Sequence, residues 1–181
     1  MTEKDILFLI EGDRRMMNIL HTAEKLNLPN WLIGAGFIRN KVWDYLHERT
    51  ETKINDIDLV YFDNNRKEEL EDKKLEEKLK TETTFDWEIV NIIHWRSSDG
   101  ISRQYKNPED LIASWPETAT AVGIRLENKK LELVAPYGIE DLVNLIVRPS
   151  PKFKEGIKRV KERMETKKWL EKWPKLKFLK N

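Results

Sequence analysis

Between Trp31 and Tyr61 the chain carries two features that constrain its fold more than any others. The first is a short apolar run, Trp31-Leu32-Ile33, ending in the turn Gly34-Ala35-Gly36. The second is a run of strand formers over Ile54 to Phe62, interrupted by Asp56 and Asp58. Asp56 and Asp58 are separated by one residue, so the strand period of two puts both carboxylates on one face and turns Ile57 and Leu59 into a core. Left alone, the two like charges repel and one takes up a proton; a bound divalent cation favours both being ionised. Ligands that are all oxygen suit Mg²⁺, which takes one or two carboxylates and completes its octahedron with water and phosphate oxygens. Upstream, a strand, a glycine turn and a following helix present backbone N–H groups and a positive helix end, which favour phosphate. A phosphate turn followed by a metal strand is a nucleotide-handling pair.

The rest of the chain supplies the scaffold. A length of 181 residues suits one domain over 1–181 with a sizeable core, and the absence of cysteine excludes disulfides and thiolate metal sites. Neither a signal-peptide pattern nor a long apolar run is present, which argues for a soluble cytoplasmic protein with no membrane partner. Residues 3–26 read as an amphipathic N-terminal helix, Phe37 to His47 as a helix with one buried face, and Arg66 to Lys80 as a charged, solvated helix. Phe85 to Trp95 reads as a strand with Trp87, Ile89 and Asn91 on one face and Asp86, Glu88 and Val90 on the other. A loop over residues 97–106 leads to a short helix at Asn107-Pro108. Residues 118–126 read as a strand, and residues 121–134 as a β-hairpin turning at Asn128-Lys129. A helix is expected from Gly138 through Val147. The formal charge of +1 hides an asymmetry: residues 151–181 hold 12 Lys/Arg against 4 Asp/Glu, net +8, and the remainder carries −7. That basic C-terminal segment, with Phe153, Ile157, Val160 and Met164 at helical spacing, reads as a helix packing one face on the domain.

At the glycine turn and the acidic strand the sequence resembles a known family. Ile33-Gly34-Ala35-Gly36 followed by Asp56-Ile57-Asp58 is similar to the glycine turn and Asp-x-Asp strand of the polymerase beta type nucleotidyltransferase superfamily. Residues 34–44 and 115–122, with Ala-Pro-Tyr-Gly at 135–138 and the paired tryptophans near the C-terminus, resemble a bacterial nucleotidyltransferase-like family of unassigned substrate. Residues 35–40 also resemble the Gly-Gly-x-Val-Arg-Asp of CCA-adding enzymes and bacterial poly(A) polymerases. Asn40 stands where that motif has Asp, and a longer spacer of 19 residues separates Gly36 from Asp56.

The resemblance implies an α/β (α+β) fold, with a mixed, mainly antiparallel sheet flanked by helices. It implies transfer of a nucleotidyl group from a nucleoside triphosphate to an acceptor hydroxyl, with release of pyrophosphate and the help of two Mg²⁺ ions. Asp56 and Asp58 would hold metal; Gly34, Ala35, Gly36, Arg39 and Asn40 would serve the nucleotide. A guanidinium in the first turn of the helix suits phosphate oxygens bidentately, which is the expected use of Arg39. A third carboxylate, acting on the attacking hydroxyl, is expected from a neighbouring strand: Glu88 first, Glu117 as the alternative, Asp86 after them. The acceptor is expected to be a small molecule rather than a nucleic acid. Two other readings stay open: a catalytically inactive nucleotide-binding or regulatory module, and an RNA-modifying nucleotidyltransferase that uses the basic tail.

Overall fold

The computed structural model describes residues 1–54, 56–66, 68–95, 104–153 and 156–180; Asn55 and most of the loop expected over 97–106 lie outside them. The run expected as one helix over residues 3–26 is two, α1 (Glu3–Glu11) and α2 (Arg14–Glu24). Asp13 causes the break. Its side chain accepts hydrogen bonds from the N–H groups of Arg15 (2.9 Å) and Met16 (3.1 Å), the geometry of a helix start rather than a helix interior. Ile6, Ile10, Met16, Ile19, Leu20 and Ala23 line the buried sides of the pair.

The sheet runs in the order β3-β2-β1-β4-β5. Strand β1 (Leu32–Gly34) lies antiparallel to both β2 (Asp56–Tyr61) and β4 (Gly123–Glu127), and β4 is antiparallel to β5 (Lys130–Val134). Strand β3 (Asp86–Asn91) is parallel to β2, the connection being made by helix α4 (Glu69–Glu82). This is the expected mixed, mainly antiparallel sheet with flanking helices. The β4–β5 connection is the expected tight turn, with Asn128 and Lys129 both at positive φ. The third strand is shorter than the sequence suggested: after Asn91 the chain enters a single 3₁₀ turn, Ile92–His94.

Alternation along the strands builds two cores. Ile33, Ile57, Leu59, Tyr61, Trp87 and Ile89 join the main core, which also takes in helix α3 (Gly36–Leu46). Leu32 and Val60 point the other way and meet Ile92, Leu111, Ile112 and Trp115, the last reached through the short helix α5 (Pro108–Ile112). Asp56 and Asp58 share the face of Val60, so the acidic end of that face is left without an apolar cover.

Two sequence expectations fail in the second half of the chain. The helix expected from Gly138 through Val147 is only α6 (Glu140–Val143), because Leu145 takes a left-handed φ of 60° and residues 146–147 form strand β6 (Ile146–Val147). The expected strand start at Thr118 is instead a turn, in which the N–H groups of Thr120 and Ala121 bond back to the carbonyl of Glu117.

Helix α7 (Gly156–Thr166), helix α8 (Trp169–Lys172) and strand β7 (Lys177–Phe178), which pairs in parallel with β6, complete the chain. Three tryptophans hold this basic segment to α3. Trp43 meets Trp169 and Trp173 edge-to-face, with centroids 5.3 and 5.1 Å apart. Such pairs contribute about 0.5–1.5 kcal/mol each beyond burial. Buried Asp44 gathers the polar groups around them. It accepts bonds from Trp173 Nε1 (2.8 Å), Thr52 N (2.6 Å) and Thr52 Oγ1 (2.8 Å). No described helix is long and apolar enough to cross a membrane.

Two stability effects follow from this packing. Asp44→Ala leaves the buried Trp173 indole N–H and the half-buried Thr52 amide without their acceptor, a cost of about 2–4 kcal/mol. Urea denaturation monitored by tryptophan fluorescence would measure it; a loss below a few tenths would show that Asp44 does not hold the segment. Ala35 sits at φ 52°, ψ −121°, a conformation that glycine adopts freely and a Cβ resists. Ala35→Gly is therefore expected to stabilise the fold by about 1 kcal/mol, despite the more flexible unfolded chain. A lower denaturation midpoint for this variant would contradict the strain.

Candidate functional site

The parallel register of β2 and β3 sets Asp56 opposite Asp86 and Asp58 opposite Glu88. Neighbouring strands lie about 4.8 Å apart, so Glu88 is the acidic residue nearest to Asp58 across the ladder. Asp58 is half-buried while Asp56 and Glu88 are exposed. Burial first, then the charges of Asp56 and Glu88, push the Asp58 carboxyl up to about 6, against the pull of Arg39 and Lys167. Negative charge on this face therefore exceeds what the protein neutralises. Among the described residues, no three acidic or histidine side chains are already gathered as a metal site. The donor chemistry nevertheless fits a hard divalent cation: carboxylate oxygens on adjacent positions, with unrelieved repulsion.

These residues line a cavity of about 660 Å³. Asp56, Asp58 and Glu88 lie on its floor, and Ala35, Gly36, Arg39 and Asn40 of the β1–α3 turn also line it. No side chain caps the first turn of α3, so its N–H groups are left without a side-chain acceptor, at a helix end that favours anions. Gly34 does something else. A Cβ there would run into the ring of Trp115 and lie 2.9 Å from the carbonyl of Val122, so the space that its glycine leaves is taken by Trp115.

Arg39 is buried, its guanidinium 4.5 Å from the ring of Trp169 and 5.1 Å from that of Trp43. Nη1 donates to Thr120 Oγ1 (2.8 Å) and Nη2 to Asn40 Oδ1 (2.9 Å). Burial lowers its pKa to about 10, with Glu117, Asp58 and Asp56 working the other way, so it remains a cation at neutral pH. Asn40 thus serves as an acceptor for Arg39, a task a carboxylate would also perform.

Glu117 belongs to the cation side of the cavity. It is fully buried, off the strands that carry Asp56, Asp58 and Glu88, and its Oε1 accepts a bond from Arg163 Nε at 2.8 Å. Its field also reaches Arg39. Asp86 is exposed at the sheet edge, 3.8 Å from Lys80. Of the three candidate third acids, the one that lines the cavity with Asp56 and Asp58 is Glu88.

The C-terminal segment supplies cavity residues that no motif in the sequence singles out. Arg159, Arg163 and Lys167 line the cavity, and Lys167 lies close enough to Asp58 to act on its charge. Their spacing of four puts them on one face of α7 and its end, beside the buried stripe Val160 and Met164. That period, read together with the net charge of +8 after residue 150, was the available signal.

The nucleotidyltransferase family model matches residues 21–178. A solved NMR structure described as revealing a CCA-adding enzyme head domain is 32% identical, with a TM-score of 0.87, over 99% of this chain and 97% of that one. A Thermotoga maritima CCA-adding enzyme complexed with tRNA is 16% identical, with a TM-score of 0.49, over 82% of this chain and 36% of its own. A tRNA-processing enzyme in an apo form gives 16% identity and a TM-score of 0.48, over 76% of this chain and 37% of its own. The chain thus spans little more than a third of those two enzymes. Comparison with curated proteins finds no match. With a family model over most of its length and a solved relative aligned almost end to end, this protein belongs to the nucleotidyltransferase family.

Proposed function

We propose that the chain transfers a nucleotidyl group from a nucleoside triphosphate to an acceptor hydroxyl, releasing pyrophosphate. The observation that carries this reading is that one cavity is lined by both signs of charge: Asp56, Asp58 and Glu88 from β2 and β3, and Arg39, Arg163 and Lys167 from α3 and the C-terminal segment. A ligand that carries both a divalent cation and a chain of phosphates satisfies both walls at once.

Asp56 and Asp58 would hold Mg²⁺, with Glu88 beside Asp58. When bound, the metal supplies Lewis-acid stabilisation of the charge that develops on phosphoryl oxygens. The first-turn N–H groups of α3 would bind the phosphates that leave, and Arg39, stacked on Trp43 and Trp169 in a fixed orientation, would share their negative charge. Glu117 holds the guanidinium of Arg163, so this cation is positioned before any ligand arrives. Glu88, opposite Asp58 in the ladder, would accept the proton of the attacking hydroxyl.

A second reading concerns the acceptor. The small-molecule acceptor expected from the sequence competes with RNA, which gains support from the basic C-terminal segment at the cavity and from the likeness to a CCA-adding enzyme head domain. RNA binding through this segment would be strongly salt-dependent.

Pyrophosphate release, measured with Mg²⁺ and each nucleoside triphosphate over small-molecule and RNA acceptor pools, tests the activity. Asp56→Ala and Asp58→Ala are each expected to lower it by roughly 10²–10⁴-fold. Wild-type rates in both variants would remove the metal assignment, and tight binding without product would favour a regulatory module.

The raised pKa of Asp58 has a measurable sign. The folded-state value, about 6, lies above the ordinary 3.8, so the folded protein binds the extra proton and metal-free stability falls as pH rises from about 4 to 6. At pH 7.5 without metal, Asp58→Asn should be more stable than wild type by about 1–2 kcal/mol, after allowance for partial exposure. Mg²⁺ should raise the melting temperature of the wild type and leave that of the variant unchanged. An equal response of the two proteins to pH and Mg²⁺ would contradict it.

A further inference from the structure

We infer that the apolar end of the cavity, built from Trp95, Tyr105 and Trp115, is a subsite for a nucleobase. This rests on the proposed nucleotidyl transfer and deepens it by naming the part of the ligand that the phosphate and metal walls do not hold.

On β2 the cavity-facing residues run Asp56, Asp58, Val60, and on β3 Glu88 is followed on the same face by Val90. Moving two residues along a strand covers about 6.6 Å, so each strand passes from carboxylate to valine within one side-chain spacing. Beyond Val60 lies the second core cluster, to which Trp115 belongs and against which Trp95 and Tyr105 pack half-buried. All three aromatic residues line the cavity. One continuous surface is therefore charged at one end and aromatic at the other.

The aromatic end also has polar handles. The hydroxyls of Ser114 and Tyr105 are bonded to each other at 3.0 Å, Ser114 Oγ also bonds the Leu111 carbonyl at 2.7 Å, and both residues line the cavity. Trp115 is placed by the backbone itself, since its ring occupies the space that a Cβ at Gly34 would need. Three large aromatic residues lining one end of the cavity, with two hydroxyls that could exchange a bond with a ligand, suit a planar heteroaromatic ring better than an aliphatic or sugar group. The base belongs either to the nucleoside triphosphate or to the terminal nucleotide of an acceptor, and both bring the same ring to the shelf.

NMR chemical-shift mapping of the full chain separates this inference from the reading beneath it. Adenosine, guanosine, cytidine and uridine carry the ring without phosphates; inorganic tripolyphosphate with Mg²⁺ carries the phosphates without a ring. At least one nucleoside, at millimolar concentration, should shift the Trp95 and Trp115 indole signals and the Tyr105 amide. Tyr105→Ala and Trp95→Leu should each weaken that nucleoside's binding by about 5- to 100-fold while the response to tripolyphosphate is kept. Both variants are included because either ring alone could also serve packing, and an unchanged tripolyphosphate response reports an intact fold.

If no nucleoside moves these signals, or both variants bind nucleosides as the wild type does, the subsite is overturned, whatever tripolyphosphate does. If tripolyphosphate moves nothing while nucleosides still do, the phosphate wall fails and the subsite stands. Titrating nucleoside triphosphates beside a short oligoribonucleotide then shows which source of the base shifts Tyr105 at the lower concentration.

Discussion

The parallel pairing of β2 with β3 is the constraint on which the site depends. Strands of alternating pattern can pair in several registers, and a slip of one residue would turn Glu88 away from Asp58 and put Trp87 on the open face. The buried partners forbid it. Ile57 with Trp87 and Leu59 with Ile89 fill the main core as opposed pairs, so the apolar face fixes the register and the acidic face inherits it. A concentration of like charge is held in place by packing on the other side of the same strands.

The opposite wall is assembled by contacts distant in sequence. Trp43 and Asp44 on α3 bind Trp169 and Trp173 some 125 residues later, and Arg163 is anchored by Glu117. Burial of the Glu117 carboxylate would be costly without a cation, so the ion pair matters to the fold as well as to the cavity. Arg39 stands where the two systems meet. It stacks on the tryptophans, bonds to Thr120 and Asn40, and feels the charges of Glu117 and the acidic pair.

What the sequence disclosed and what it hid follow from the range of the interactions. The Asp-x-Asp strand, the glycine turn and the β4–β5 hairpin are local patterns of period two or of turn chemistry, and they appear in the structure where the residues imply them. The faces of the third strand were legible for the same reason, which brought out Glu88. The break at Asp13 was less visible, because the apolar spacing of residues 6–23 continues through it and only the capping geometry reveals the stop. Glu117 resembled a strand-borne acid until long-range contacts placed it against Arg163. The role of Gly34 was hidden as well: a glycine in a phosphate-turn motif turns out to make room for a tryptophan 81 positions away.

The basic tail shows why composition alone misleads here. Lysines and arginines on a terminal helix are ordinary when the helix packs only by its apolar stripe, and Val160 and Met164 do form such a stripe. Attachment of that stripe leaves the neighbouring row, Arg159, Arg163 and Lys167, facing the cavity. The positive charge is therefore oriented by apolar packing, just as the acidic pair is. Asp58 and Glu88 on one side, and Arg159 and Arg163 on the other, each have a buried neighbour in sequence, so these four cannot be repositioned without disturbing the core. Anchoring of that kind lowers the cost of ordering charged side chains around a ligand, because the backbone that carries them is fixed by packing even where the charged groups themselves reach solvent.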